Sequence, residues 1–291
     1  MKKIIFFLLV SCAAVSTSAR TVDVSSSYTG ASHFDQVRTS AFLSPTLNTL
    51  VGVEAKWAKE HAFKDHIYTV AVPFSLEWDM MYTTIRPFYY FKNKSYQPGL
   101  QDTSAFGVNG QMRLDLRQDE VNDIYTQAFL SASFARQKGT VFYEDATAEN
   151  RYYSQAAYQL GFSHTMFNAF GFDAFGTVFH YTDGISGVTG LHSIMDQQEL
   201  ADTQTLDIMH ELPKYTLAGK ITRMWAGNNS SIYVGYRYGE YHTTDPEHSV
   251  IVGNSFYLFQ RVAVDLAYNH VRTVHNKNRR DIFRIQLQTF F

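Results

Sequence analysis

Residues 106–117 alternate without a break. Phe106, Val108, Gly110, Met112, Leu114 and Leu116 interleave with Gly107, Asn109, Gln111, Arg113, Asp115 and Arg117. A period of two sends successive side chains to opposite faces of a strand, so this stretch has one apolar and one polar face. The pattern returns along the chain. Val51, Val53, Ala55 and Trp57 alternate with Gly52, Glu54 and Lys56; Ile232, Val234, Tyr236 and Tyr238 oppose Arg237 and two glycines. Val262, Val264, Leu266 and Tyr268 oppose Arg261, Asp265 and Asn269. A soluble sandwich offers such a face to a few strands, but not to many of similar length. The last residues, Phe283 to Phe291, set Phe283, Ile285 and Leu287 against Arg284, Gln286 and Gln288. In water a final strand ending on two phenylalanines is an exposed edge. In a closed membrane barrel its apolar face meets lipid and no edge is left.

The N-terminus has the layout of a secretory signal. Met1-Lys2-Lys3 is basic, Ile4 to Val10 is apolar, and Ser11 to Ala19 is built of small residues. Cleavage after Ala19 leaves one domain, 20–291. Leu9-Val10-Ser11-Cys12 also fits a lipoprotein signal with Cys12 lipidated; either way the folded domain has no free cysteine. No later apolar run approaches the roughly 18 residues of a membrane helix, which excludes a helical membrane protein but not a barrel. A net charge of −2 gives no footprint for a nucleic acid.

The alternating last strand ending in Phe291, behind a secretory signal, resembles the C-terminal signature of bacterial outer-membrane β-barrels. Thr289 departs from it, standing where a larger apolar residue is usual. The resemblance implies an outer-membrane location in a Gram-negative-type envelope, surrounding outer-membrane lipid, and recognition by the barrel-assembly machinery. It names an architecture and no particular transporter or enzyme.

The expected fold is therefore all-β: an antiparallel up-and-down transmembrane barrel of about 14 strands, over 21–30, 36–44, 48–59, 65–78, 81–92, 103–117, 123–138, 151–165, 168–181, 213–226, 230–242, 247–258, 260–273 and 279–291. The first two are short and poor in large apolar residues; without them the count is about 12. If the C-terminus is periplasmic, every long connection falls on the external side, as in known barrels of this kind. Tyr28, Tyr68, Tyr89, Tyr152, Tyr268, Trp57, Trp78 and Trp225 sit near strand ends, where membrane interfaces place amphipathic rings.

The polar faces nominate Glu54, Lys56, Arg86, Arg113, Asp115, Arg117, Arg237 and Arg284 as lumen-lining pore residues, with Arg38, Glu77, Asp173, Lys220, Arg261 and Asp265 on the same faces. Such charges line a wet path or pair to fill the interior. The longest connection, 182–212, holds Asp183, Asp196, Glu199, Asp202, Asp207 and Glu211 and no Lys or Arg. Asp196, Glu199, Asp202 and Asp207 are the candidates for a constriction loop facing lumenal arginines. The histidines lack metal-ligand spacing, no cofactor is indicated, and no Ser-His constellation with an orienting acid supports an enzyme. The expected role is a pore for small polar solutes or ions; the competing one is a non-conducting outer-membrane barrel serving structure, adhesion, or assembly and export. Homodimers and homotrimers both suit a barrel of this size.

Overall fold

The computed structural model describes residues 22–32, 34–60, 65–91, 104–142, 148–167, 169–182, 212–225, 230–242, 245–258, 261–274 and 279–290. They form β1 Val22–Ala31, β2 Phe34–Thr46, β3 Thr49–Glu60, β4 Asp65–Ala71, β5 Phe74–Trp78, β6 Met81–Tyr90, β7 Ser104–Asp119 and β8 Ile124–Phe142. The second half follows as β9 Ala148–Met166, β10 Phe170–Thr182, β11 Pro213–Trp225, β12 Ser230–Tyr241, β13 Glu247–Leu258, β14 Val262–Thr273 and β15 Arg279–Phe290.

Apart from β4 and β5, consecutive strands pair antiparallel, and β1 pairs with β15 from Asp23↔Phe290 to Ala31↔Ile282, so the sheet closes on itself. β4 and β5 both lie between β3 and β6 and are two halves of one stave. The barrel thus has fourteen staves, and the two N-terminal strands belong to it. The broken stave has a simple cause. Pro73 stands inside it and Pro87 faces it from β6, and neither has an N–H for the ladder. Pairing survives through the bonds that remain, Val72 N–H to the Pro87 carbonyl at 3.0 Å and Gly52 N–H to the Pro73 carbonyl at 2.9 Å.

Two expectations shift in detail. The connection at 139–150 is largely strand, because β8 and β9 continue pairing to Phe142↔Ala148. β7 runs to Asp119, with a register shift between Asp115 and Arg117. The short turns at 47–48, 79–80 and 120–123 lie at one end, here the turn end; the connection between Thr182 and Leu212 lies at the other, the loop end.

Closure sorts the side chains. Outward positions carry exposed apolar residues over the whole circumference, among them Val53, Ile85, Leu130, Leu160, Ile221, Val234 and Ile285. A soluble protein rarely exposes apolar patches beyond a few hundred Å²; here they form a continuous belt. Trp78 and Trp225 border it at the turn end, and Tyr28, Tyr68, Tyr89, Tyr152 and Tyr268 toward the loop end, all exposed. This is the architecture of outer-membrane β-barrels. Leu160, halfway along β9 and 64% exposed, tests the belt directly. Leu160→Arg is expected to destabilise the barrel folded into lipid vesicles by about 2–4 kcal/mol. An unchanged denaturant midpoint would place Leu160 in water.

Candidate functional site

The inward face is the candidate site, and its chemistry follows from register. On β3 the even positions face in, so Glu54 and Lys56 stand two residues apart on one wall, with buried side chains. On β2 and β6 the matching positions are Arg38 and Arg86. Glu54 Oε2 accepts from the Arg38 guanidinium at 2.9 Å and from Arg86 through Nη2 at 2.7 Å and Nε at 2.9 Å. One carboxylate therefore holds two guanidinium groups, with charge-assisted geometry on the Arg86 side. The Lys56 ammonium lies 5.6 Å from the centre of the Tyr90 ring.

A second cluster spans β12, β13, β14 and β15. Asp265 accepts from Arg284 at 2.6 Å, from the Tyr233 hydroxyl at 3.1 Å and from Ser255 Oγ at 2.5 Å. Asp173 on β10 joins Lys220 on β11 at 3.0 Å and accepts from Ser163 Oγ at 2.6 Å. Lys220 also lies 5.8 Å from the centre of the Tyr233 ring, which links the two clusters. Nearer the loop end Glu247 pairs with Arg280 and accepts from the Tyr241 hydroxyl, which also receives a bond from Arg237 at 3.3 Å. On β7 Arg113 lies 4.0 Å from Asp115 and 4.9 Å from the centre of the Tyr82 ring.

Seven of the eight nominated lumen residues, Glu54, Lys56, Arg86, Arg113, Asp115, Arg237 and Arg284, lie at inward positions on the wall. Arg117 does not. The register shift before it makes Thr126 its partner, moving it out of the inward series to the turn-end rim, where it pairs with Asp119 at 3.2 Å. Asp196, Glu199, Asp202 and Asp207 lie outside the described residues. Glu247, Arg280 and Tyr241 were not nominated. Arg280 sits in the doublet Arg279-Arg280, where alternation alone sends one arginine in and the other out.

The rest of the wall is less polar. Phe88 and Tyr90 on β6 meet edge to face with centroids 5.6 Å apart, and Phe129 on β8 lies 5.6 Å from Phe175 on β10. Small residues make room for these rings: a Cβ at Gly161 would lie 2.2 Å from Phe175 Cδ1. Inward aromatics and charges therefore share one lumen. Among the described residues no three His, Cys, Asp or Glu side chains gather as metal ligands. His242, just beyond β12 at the loop end, is held below the ordinary imidazole range by burial and by the Lys214 charge.

No family model and no curated protein matches the chain. Solved structures do. The chain is similar to the CymD monoaromatic hydrocarbon channel, with a TM-score of 0.52 and 10% identity over 94% of this chain and 88% of that one. It is similar to the P. putida toluene transporter TodX, with a TM-score of 0.50 and 8% identity over 94% of this chain and 90% of that one. CdiB from Acinetobacter baumannii gives a TM-score of 0.50 at 7% identity over 95% of this chain, which spans 60% of the CdiB chain. At such identities the likeness is one of fold, and the residues that could set a substrate are not shared by inference.

Proposed function

We propose that this barrel is a channel of a bacterial outer membrane, passing small polar solutes or ions through a narrow, charged lumen. The observation that carries the reading is that inward charges keep access to the lumen. Arg38 keeps 29% and Arg113 31% of its side-chain surface exposed, although register puts both on the inward face. A charge packed to fill an interior is closed off from solvent and fully paired, so inward charges left partly open line a space wet enough to solvate them. The belt of exposed apolar side chains supports the membrane setting, and the solved structures similar in fold include proteins described as a channel and as a transporter.

The inward rings support a second reading. Phe129, Phe175 and Tyr233 are buried within the barrel and narrow it, which suits a non-conducting barrel acting in structure, adhesion or export. Planar-bilayer recording of the refolded protein separates the two. The channel reading expects discrete ion-conducting steps. A silent bilayer, with insertion verified by heat-modifiable migration of the recovered protein, would leave the structural reading.

A further inference from the structure

The outer face near the loop end holds an arrangement that the lumen does not explain. Arg272 on β14 and Arg279 on β15 are direct register partners, and both are exposed. They share the outward parity of Tyr268 and His270 on β14 and of Asp281 and Phe283 on β15. Side chains at directly opposed positions start about 4.5–5.5 Å apart at Cβ, and like charges there repel. Neither arginine forms an ion pair among the described residues. The adjacent carboxylate, Asp281, attracts Arg279 without forming a hydrogen bond to it: its Oδ1 accepts from the Tyr268 hydroxyl at 2.7 Å and lies 2.8 Å from His270 Nδ1. His248, the register partner of Arg272 on β13, is held through Nδ1 to the Tyr236 hydroxyl.

Depth on the barrel gives the pair a setting. Below it the outer face becomes aromatic and then aliphatic, through Tyr268 and Phe283, whose rings lie 5.1 Å apart, to Leu266 and Ile285. From Phe283 to Arg279 is four residues, about 13 Å along the strand and less in height because barrel strands tilt. That distance carries the chain from the edge of the hydrocarbon into the headgroup layer.

We propose that Arg272 and Arg279 form a two-guanidinium clamp for the phosphate of a membrane lipid in the leaflet at the loop end. The inference rests on the barrel's spanning a membrane. A phosphate between the two guanidinium groups offsets their repulsion and accepts the paired bonds that their planar donors favour. The apolar surface beneath, at Tyr268, Phe283 and Ile285, receives the acyl chains. A free phosphate ion lacks that second contact, and an exposed site in water holds it weakly because salt screens the charges.

The test uses the refolded full-length barrel and the variant R272Q/R279Q. Both are reconstituted in phosphatidylcholine vesicles containing diphosphoryl lipid A or its fully dephosphorylated form. Flotation comes first, then native mass spectrometry of the lipid retained after detergent extraction, with and without inorganic phosphate as competitor. The expected result is that the unaltered protein keeps the phosphorylated lipid at least ~10-fold better than the dephosphorylated one, and that the variant loses this preference. The doubly conservative R272K/R279K, which keeps the charge without the planar fork, should fall between. Heat-modifiable migration checks that each variant is folded. Equal retention by the glutamine variant overturns the clamp, as does displacement of the lipid by inorganic phosphate as readily as by more lipid. If the unaltered protein fails to float with vesicles, the membrane reading falls and the clamp with it. If it floats but shows no phosphate preference, only the clamp falls.

Discussion

Glu54→Gln is expected to lower the stability of the folded barrel by about 2–4 kcal/mol and to move its conductance toward anions. The carboxylate oxygen Oε2 receives three N–H bonds from Arg38 and Arg86. A glutamine keeps the shape but removes the charge. Two guanidinium groups would then face each other on one wall, with Lys56 two residues along the same strand. Removing one member of a buried pair is costly because the cation left behind stays desolvated. The figure is set at the lower end because Arg38 keeps 29% of its side-chain surface exposed and lumen water screens its share. Denaturant titration in detergent reads the stability, and the reversal potential under a salt gradient reads the selectivity. Glu54→Asp, which keeps the charge on a shorter arm, should lose less of both. A reversal potential that does not move would remove Glu54 from the ion path.

Gly253→Ala should cost about 2–5 kcal/mol for a single methyl group. The new Cβ would lie 2.0 Å from Tyr233 Cζ and 2.1 Å from its hydroxyl oxygen. Tyr233 is among the most buried side chains of the barrel, and its ring rests on the bare backbone of Gly253. Any shift of the ring withdraws the hydroxyl from both Asp265 carboxylate oxygens, which accept from it at 3.1 Å, and from Arg284 Nη2, which donates to it at 3.3 Å. The cost therefore combines overpacking with a lost bond to a charged group. A double-mutant cycle checks the mechanism. In a Tyr233→Ala background the glycine substitution should lose at least about 1 kcal/mol of its effect. Strict additivity would mean that the strand itself, and not the ring, resists the methyl group.

The staves were legible because a barrel wall must alternate. The choice between 12 and 14 came down to 21–30 and 36–44, whose small residues give little amplitude to the pattern. The structure includes both, because β1 offers Ser25, Ser27 and Thr29 to the lumen, where small polar side chains fit beside Arg38 and Gln286. Thr289, the departure from the usual terminal strand, bonds through Oγ1 to the Val24 carbonyl at 3.2 Å, so its hydroxyl serves the β1–β15 contact. Residues 168–181 looked ambiguous because aromatics occupy both faces. Phe175 and Phe179 face in, and Gly161 on β9 leaves room for the Phe175 ring, a relation between strands that no single window contains. Arg117 was misplaced because one bulge reverses parity, and nothing local in Asp115-Leu116-Arg117 announces it. Polar faces were readable one strand at a time. The partners were not, since Glu54 and Arg86 are 32 residues apart and meet only after the intervening stave has folded between them.

The contact between β1 and β15 has a consequence for the order of assembly. Its side-chain bond from Gln288 to Asp23 joins residues separated by 265 positions. Closing a flexible chain over that span costs about 5 kcal/mol of entropy before any contact is made. Nine register pairs return that cost only together. The expected order therefore puts the seam last, after the hairpin-like pairings have brought the two edges near each other. Until then both edges present unpaired backbone. A substitution in β1 should accordingly slow the final closure without changing how far the rest of the sheet has folded, whereas one in β8 or β9 should impede the sheet from the beginning.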